Sequence, residues 1–222
     1  YKIPILEVPG YEADDVVGTL AKQAESKGVV TYMMTPDKDY GQLVTNNTLI
    51  YRPKYGDKEF DIMTPEKVIE KFGLKRTEQV IDLLGLMGDA SDNIPGCPGV
   101  GEKTAQKLIA EFDSIENLLA NTDKLKGALK TKIEENREKI LFSRFLATIK
   151  TDVPITLDME ALKREAPDEV RLTALLDLYE LRALKERVKK SNFVPDLFAV
   201  SDTEEKAAPA ARVTKSNQIQ GS

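Results

Sequence analysis

The spacing of apolar and polar positions predicts an α/β arrangement at the start of the chain. Residues 12–27 carry apolar side chains at helical spacing, acids in the first turn and a glycine directly afterwards, which is the pattern of an amphipathic helix. The apolar run 29–35 predicts a short strand buried on both faces. A turn and short helix over "PDKDYGQLV" come next, then "NTLIYRP" as a second strand and "KEFDIM" as an edge strand. This alternation favours a parallel sheet.

From residue 64 onward the pattern predicts helices. Thr64 is an N-cap, Pro65 occupies the first helical position and Gly73 ends that helix. After residue 198 no large apolar residue recurs with any period, so a disordered tail or linker is expected. The predicted domains are an α/β core over 1–63, a helical subdomain over 64–198 and a tail over 199–222. Further helices are predicted at 77–87, 102–111, 114–120, 131–149, 168–178 and 179–190.

Composition narrows the chemistry that the chain can carry. The 222 residues include no histidine, which excludes histidine triads, histidine general bases and most zinc sites. The single Cys97 cannot form an internal disulfide, which fits a reducing compartment. No apolar run has the length of a membrane span and no signal peptide is recognised, so no membrane partner is expected. The net charge of −5 argues against a uniformly basic nucleic-acid binder, but not against one whose acids gather at a metal site.

Three acidic motifs, "YEADD", "TPDKD" and "GDASD", are the candidate catalytic groups. Each has a structural interpretation: acids that complement a helix dipole, a polar turn, and a helix cap at Asp92. Taken together without basic partners, they repel one another unless a cation is present. Oxygen-only ligands suit Mg²⁺ or Mn²⁺, and two such ions about 4 Å apart can clamp a phosphodiester. The carboxylates concerned are Glu12, Asp14, Asp15, Asp37, Asp39, Asp89 and Asp92.

The stretch "PGCPGVGEKTAQKLI" matches a helix–hairpin–helix pattern, within residues 88–112. Gly99 and Gly101 are expected to take positive φ and to let the backbone approach a ligand closely. Backbone amides at the turn would bind a phosphate without reading sequence, and Lys103 and Lys107 would add attraction. A plain turn between two helices is the alternative. Residues 124–150 hold eight basic and three acidic residues, a net charge of +5, which favours a track along a duplex over a solvated helix face.

The stretches "PGYEADDVVGTLA", "TPDKDYGQLV" and "GDASDNIPGCPGVGEKTA", in this order and spacing, closely resemble the 5′-nuclease domain of bacterial DNA polymerases I, within the flap endonuclease family. The resemblance covers about residues 5–198. It implies a PIN-like nuclease core with a partial parallel sheet, followed by a helical subdomain with a helix–three-turn–helix that binds DNA. The implied activity is structure-specific, divalent-metal-dependent 5′-nuclease cleavage of flap and duplex DNA in primer removal and repair.

The resemblance also implies site residues, cofactors and partners. All seven carboxylates would bind two Mg²⁺ or Mn²⁺ ions, with Asp14, Asp15, Asp37 and Asp39 as catalytic residues. A monovalent cation such as K⁺ is expected at the hairpin turn. The implied protein is a monomer in the bacterial cytoplasm, associated with the nucleoid and covalently linked to polymerase domains. The implied DNA-binding residues are Gly96, Gly99, Val100, Gly101, Lys103, Thr104 and Lys107.

The sequence departs from the family pattern in two places. Pro36 stands where the family more often has a small residue, a mild change in a loop. Family members also place a strand with a metal-binding aspartate, a second aspartate and a basic helical arch before "EADD", a motif that begins here at Glu12. We therefore expect part of the catalytic shell to be missing from this chain. Two hypotheses follow: a divalent-metal 5′-nuclease, or a non-catalytic fragment that binds duplex and flap DNA.

Overall fold

A computed structural model describes residues 1–53 and 60–190. The described residues form two compact units, one within Ile5–Met159 and one of Tyr1–Pro4 together with residues 160–190. The domain boundaries proposed from the sequence, after residues 63 and 198, stay predictions. The predicted tail over 199–222 lies outside the described residues.

The larger unit begins with a small mixed sheet. Strand β1 pairs in parallel with β2, and β2 pairs antiparallel with β3, in the spatial order β1-β2-β3. The α/β class and the parallel pairing of the first two strands are therefore confirmed, while the third strand runs in the opposite direction. The elements are α1 (Ala13–Ser26), β1 (Thr31–Met33), a 3₁₀ helix (Asp39–Leu43), β2 (Thr48–Pro53) and β3 (Phe60–Met63).

Strand β1 differs from its prediction, because it is not buried on both faces. Met33 is only 3% exposed, whereas the neighbouring Tyr32 is 54% exposed. Within the described part of the chain β1 pairs with β2 alone, so it lies at the edge of the described sheet. Successive side chains of a strand point to opposite faces, and only one face of β1 meets the core. A run of apolar letters could not reveal this difference.

The described part of the larger unit continues with the α-helices α2 (Pro65–Phe72), α3 (Gln79–Met87), α4 (Glu102–Phe112), α5 (Ile115–Ala120), α6 (Gly127–Glu135) and α7 (Arg137–Ala147), with a short 3₁₀ turn (Thr122–Lys124) between α5 and α6. The predicted ends of α2 are confirmed, since Thr64 accepts a hydrogen bond from the backbone of Lys67 and Gly73 takes φ 63°. The single helix predicted over 131–149 is wrong. It is two helices, separated at Asn136, whose side chain donates to the carbonyl of Lys132 at 2.8 Å. Asparagine competes in this way with helical hydrogen bonding.

Helix α3 lies at the centre of the core. Val80, Leu83 and Leu86 are fully buried, and α3 packs against α4, α7 and the 3₁₀ helix. Gly85 allows α7 to approach, because a methyl group there would lie 2.9 Å from Arg144 Cβ. Helix α3 therefore contacts the 3₁₀ helix that carries Asp39 and ends directly before the "GDASD" motif, which places two of the acidic motifs near each other.

The smaller unit contains α8 (Glu169–Leu178) and α9 (Arg182–Lys190), close to the predicted positions. Asp168 caps α8 by accepting a hydrogen bond from the backbone of Arg171 at 2.9 Å. Leu172 and Leu176 are its buried apolar residues. In residues 1–53 and 60–190, no helix combines the length and the apolar character needed to traverse a bilayer.

Candidate metal centre and DNA-binding hairpin

The three acidic motifs meet at one cleft of about 690 Å³ in the larger unit. Acids from all three motifs therefore lie close together in space. Asp89 lies beside the cleft, where one carboxylate oxygen each from Asp39, Asp89 and Asp92 lie within 4.8 Å of one another. The acids that line the cleft itself are Glu12, Asp14, Asp15, Asp37, Asp39 and Asp92.

Asp39 is the buried carboxylate of this group. It begins the 3₁₀ helix, and its backbone amide donates to Asp37 Oδ1 at 3.0 Å. Its own Oδ1 is buried and has no hydrogen-bond partner among the residues that the structure describes. Burial, and then the charges of Asp37, Asp89 and Asp92, raise the pKa of Asp39 to about 7. Since a buried carboxylate oxygen without a partner is costly, this geometry fits a site that takes a cation.

Asp89 and Asp92 lie in a tight loop after α3. Asp89 and Ile94 exchange backbone hydrogen bonds of 2.9 and 2.8 Å, which close the loop. Ser91 donates to Asp89 Oδ1 from its backbone at 2.9 Å and from its hydroxyl at 2.5 Å. The motif is thus a turn and not helical, and the interpretation of Asp92 as a helix cap is wrong, because the next helix begins only at Glu102. Partial desolvation and the charges of Asp89 and Asp37 raise the pKa of Asp92.

Lys38 lies inside the acidic cluster, which the sequence interpretation missed. Its ammonium forms an ion pair with Asp89 Oδ2. The hydrogen bond to Asp89 raises the pKa of Lys38. Burial alone would raise the pKa of Asp89, but hydrogen bonds from Lys38 and Ser91 outweigh it and lower that pKa. The premise that the acidic motifs lack a basic partner is therefore wrong, although the lysine letter between Asp37 and Asp39 was a visible signal.

The start of α1 forms the opposite wall of the cleft. Asp15 Oδ1 accepts from the backbone amide of Lys150 at 2.7 Å, and its Oδ2 accepts from the amide of Glu12 at 3.4 Å. Asp15 thus ties α1 to the segment after α7, in part the structural role that acids have at a helix start. Burial raises the pKa of Asp14, and the charge of Asp15 adds to the shift. This arrangement favours Asp14 over Asp15 as a ligand. The ligand roles of all seven carboxylates, Glu12 and Asp15 included, stay predictions.

The glycines of the hairpin differ in conformation. Gly96 and Gly99 take φ of 61° and 75°. Gly101 is wrongly predicted to have positive φ: it takes φ −95° as the extended N-cap residue of α4. Gly96 is buried and donates its amide to Ser143 Oγ at 2.9 Å, and Val100 is 3% exposed. These two residues therefore shape the turn from inside.

The outer face of the hairpin carries the groups suited to an anion. Among the residues that the structure describes, no side chain caps the start of α4, and the first amides of a helix have no partner within it. Lys103 and Lys107 are exposed on α4, and Thr104 is half-buried. Lys132 of α6 also belongs here, since a methyl group on Gly99 would lie 2.6 Å from Lys132 Nζ. The sequence placed Lys132 only within a broadly basic stretch.

Comparison with known protein families shows which family contains a chain with this acidic cleft and this hairpin. Residues 1–73 match the N-terminal resolvase-like domain of 5′-3′ exonucleases, and residues 75–170 match their C-terminal SAM fold. This chain belongs to the 5′-3′ exonuclease family. It is 45% identical to DNA polymerase I of Bacillus subtilis over 189 residues, 85% of this chain and 21% of that protein. It is 44% identical to the thermostable DNA polymerase I of Thermus aquaticus, over 81% of this chain and 21% of that protein.

The chain therefore spans about a fifth of the length of these relatives. Among solved structures it resembles the T5 5′-exonuclease with bound zinc, with a TM-score of 0.59 and 22% identity over 66% of this chain and 53% of that one. It also resembles a bacteriophage T5 flap endonuclease variant in a pseudo-enzyme-product complex with DNA and metal ions, with a TM-score of 0.60 and 22% identity over 68% and 54% of the chains. These similarities confirm the fold of a 5′-nuclease core with a helical domain.

Proposed function

We propose that this chain is a structure-specific, divalent-metal-dependent 5′-nuclease segment that acts on flap and duplex DNA, as part of a DNA polymerase I in primer removal and repair. The observation that carries the proposal is the cluster of Asp39, Asp89 and Asp92, with oxygens within 4.8 Å at the edge of an acidic cleft. Family membership, the two DNA polymerases I and the T5 structures with metal ions and DNA support it.

The donor set at the cleft consists of carboxylate oxygens, which suit Mg²⁺ or Mn²⁺. Asp39, Asp89 and Asp92 would hold one ion, and Asp14 and Asp37 would contribute to a second from the other side. Glu12 and Asp15 would shape that wall. When bound, two such ions supply electrostatic stabilisation of a phosphodiester and an activated water. The buried position of Asp39 and the Ser91 hydrogen bonds to Asp89 hold those ligands in place.

The hairpin would bind the DNA duplex at a second position, some distance from the cleft. The exposed amides at the start of α4 can bind a phosphate, and Lys103, Lys107 and Lys132 add positive charge without reading bases. A K⁺ ion at the hairpin turn is part of this proposal on the strength of the family resemblance. So are the monomeric state, the covalent link to polymerase domains, and a place at the nucleoid in the bacterial cytoplasm.

One observation favours the second candidate, a DNA-binding fragment without catalysis. Lys38 already pairs with Asp89, and both oxygens of Asp15 accept from backbone amides. The carboxylates with uncommitted oxygens are therefore fewer than the seven named from the sequence. In this case the hairpin would still bind duplex DNA.

A cleavage assay separates the two candidates. A labelled 5′-flap oligonucleotide duplex is incubated with the chain in Mg²⁺, in Mn²⁺ and in EDTA. We expect cleavage only with metal, and a loss of more than about tenfold in Asp39→Asn and Asp92→Asn. Asp123→Asn changes an exposed aspartate that neither lines the cleft nor belongs to the cluster, so it is the matched control and should cleave as wild type. The same labelled duplex run with the chain on a native gel measures binding. If the chain binds the duplex without cleaving it, the second candidate is supported, and if it does neither, both candidates are overturned.

A further inference from the structure

Lys38 occupies an unusual position among the cluster carboxylates. Its side chain is 35% exposed, whereas that of its partner Asp89 is only 5% exposed. After Asp89, the charges that act on its ammonium most strongly are those of Asp39 and Asp92. These are the same three carboxylates whose oxygens lie within 4.8 Å of one another. The ammonium of Lys38 therefore interacts electrostatically with the same three acids that would bind a metal ion.

The hydrogen bonds of Asp89 show what a metal ion would have to displace. Ser91 donates twice to Oδ1, and Lys38 pairs with Oδ2. Both oxygens of this buried carboxylate are thus engaged. A divalent ion that ligates Asp89 through Oδ2 would lie next to the Lys38 ammonium, and one that ligates it through Oδ1 would lie next to Ser91. Ser91 is held within the closed loop, whereas Lys38 is a long side chain with a partly exposed end, so Lys38 is the partner that can move.

The ion pair between Lys38 and Asp89 reduces the electrostatic repulsion within the cluster. Three carboxylates with oxygens this close repel one another, and burial strengthens the repulsion. An ammonium offsets part of that repulsion, and a divalent ion offsets more of it. Both cations on the same carboxylate oxygen would repel each other. The cluster therefore fits one or the other at Asp89 Oδ2.

We propose that Lys38 is a built-in counter-cation, which holds the Asp39, Asp89 and Asp92 carboxylates together without metal and leaves Asp89 Oδ2 when a divalent cation binds. This inference rests on the proposed metal site and assigns a positioning role to a residue outside the ligand set. It makes Lys38 a competitor of the metal. Removing its charge should destabilise the metal-free protein and tighten metal binding, two effects of opposite direction.

The test uses the whole 222-residue chain. Lys38→Met removes the charge and keeps an apolar stem, Lys38→Gln keeps a hydrogen-bond donor without charge, and Lys38→Arg keeps the charge. Lys67→Met is the matched control, because Lys67 makes an exposed ion pair with Asp61 at 2.7 Å and its loss changes the net charge equally. The measurements are thermal denaturation in EDTA and calorimetric titration with MnCl₂.

We expect Lys38→Met to lower the melting temperature in EDTA by about 4 °C or more, since it leaves a buried carboxylate without its cation. We expect the same variant to bind Mn²⁺ at least about tenfold more tightly than wild type. Lys38→Gln should shift both quantities in the same directions, and it replaces Lys38→Met if that variant does not fold. Lys38→Arg and Lys67→Met should bind Mn²⁺ within about threefold of wild type.

The outcomes separate this inference from the proposed function. If wild type binds Mn²⁺ and the uncharged Lys38 variants bind it equally or more weakly, Lys38 is not a competitor and the inference is overturned alone. If wild type does not bind Mn²⁺, the proposed metal site falls and the inference falls with it. A merely structural lysine would lower the melting temperature without tightening metal binding.

Discussion

Asp39 has the most informative protonation behaviour in the cleft. Burial and its acidic neighbours raise its pKa to about 7, against an ordinary value of 3.8. The folded protein therefore binds more protons than the unfolded chain between these two values. The contribution of Asp39 to stability is full below pH 3.8 and is lost as pH rises through about 7.

Asp39→Asn should remove this dependence in metal-free protein. Its gain in melting temperature over wild type should grow between about pH 4 and pH 7, reach several degrees and stay constant above that range. Thermal denaturation in EDTA across this range measures the effect. Parallel curves for wild type and Asp39→Asn would show that Asp39 does not titrate in this range.

Gly96 and Gly101 should respond very differently to substitution. A methyl group on Gly96 would lie 2.6 Å from the carbonyl carbon of Met87, at a φ of 61°, whereas Gly101 has open space at its position. Gly96→Ala should lower the free energy of unfolding by about 2 kcal/mol or more, and Gly101→Ala should change it by less than about 0.5 kcal/mol. Urea denaturation measures both. Equal stability of the two variants would contradict the described turn.

The sequence identified the acids of the cleft but not how they are bonded. Their motifs and order predict a shared cleft, and the structure brings them to one. The pairing of Lys38 with Asp89 depends on where the 3₁₀ helix packs against the end of α3, which no local pattern contains. Gly101 was misassigned because a Gly-x-Gly spacing does not show which glycine begins the helix.

At the level of elements, local signals located the helices well wherever a cap is present. Thr64 and Gly73 bound α2 as predicted, because capping is a property of neighbouring residues. The break at Asn136 and the one-sided burial of β1 were missed. The first depends on a single side chain that competes for a carbonyl, and the second on which elements cover the sheet, a tertiary property.

The hairpin element makes a prediction about salt dependence. Lys103→Ala should reduce the slope of log binding constant against log salt by roughly one for duplex DNA of any sequence, since one phosphate contact is lost. Salt titrations in Ca²⁺, which suppresses cleavage, measure the slope, with Lys67→Ala as the exposed control. An unchanged slope for Lys103→Ala would move the DNA contact away from α4, toward the basic helices α6 and α7.

A further prediction concerns the packing of α7 on α3. Arg144 Nε bonds to Asp82 Oδ1 at 2.8 Å, and its Nη2 lies 3.2 Å from Glu116 Oε1. Asp82 is buried, so Arg144→Met should cost about 3 kcal/mol of unfolding free energy, whereas Arg144→Met with Asp82→Leu should recover most of the loss. Urea denaturation of the single and double variants measures both. A double variant no more stable than Arg144→Met would show that the charge of Asp82 is not the cause.

On the scale of the larger unit, α7 connects the hairpin with the acidic cleft. Ser143 accepts from the amide of Gly96 in the hairpin. At the end of α7, Gln42 donates to the carbonyl of Ala147 at 2.9 Å and accepts from the amide of Ile149 at 2.9 Å. Gln42 belongs to the 3₁₀ helix that begins at Asp39. Helix α7 therefore sets the separation between the hairpin, which is proposed to bind DNA, and the proposed metal ligands.

Anomalous X-ray scattering from crystals of the chain grown with MnCl₂ tests the proposed metal site directly. We expect a Mn²⁺ peak about 2 Å from carboxylate oxygens of Asp39, Asp89 and Asp92, and no such peak in the Asp39→Asn variant. A peak elsewhere in the molecule, or none at the cluster in Mn²⁺ concentrations that support cleavage by the wild-type chain, would contradict it.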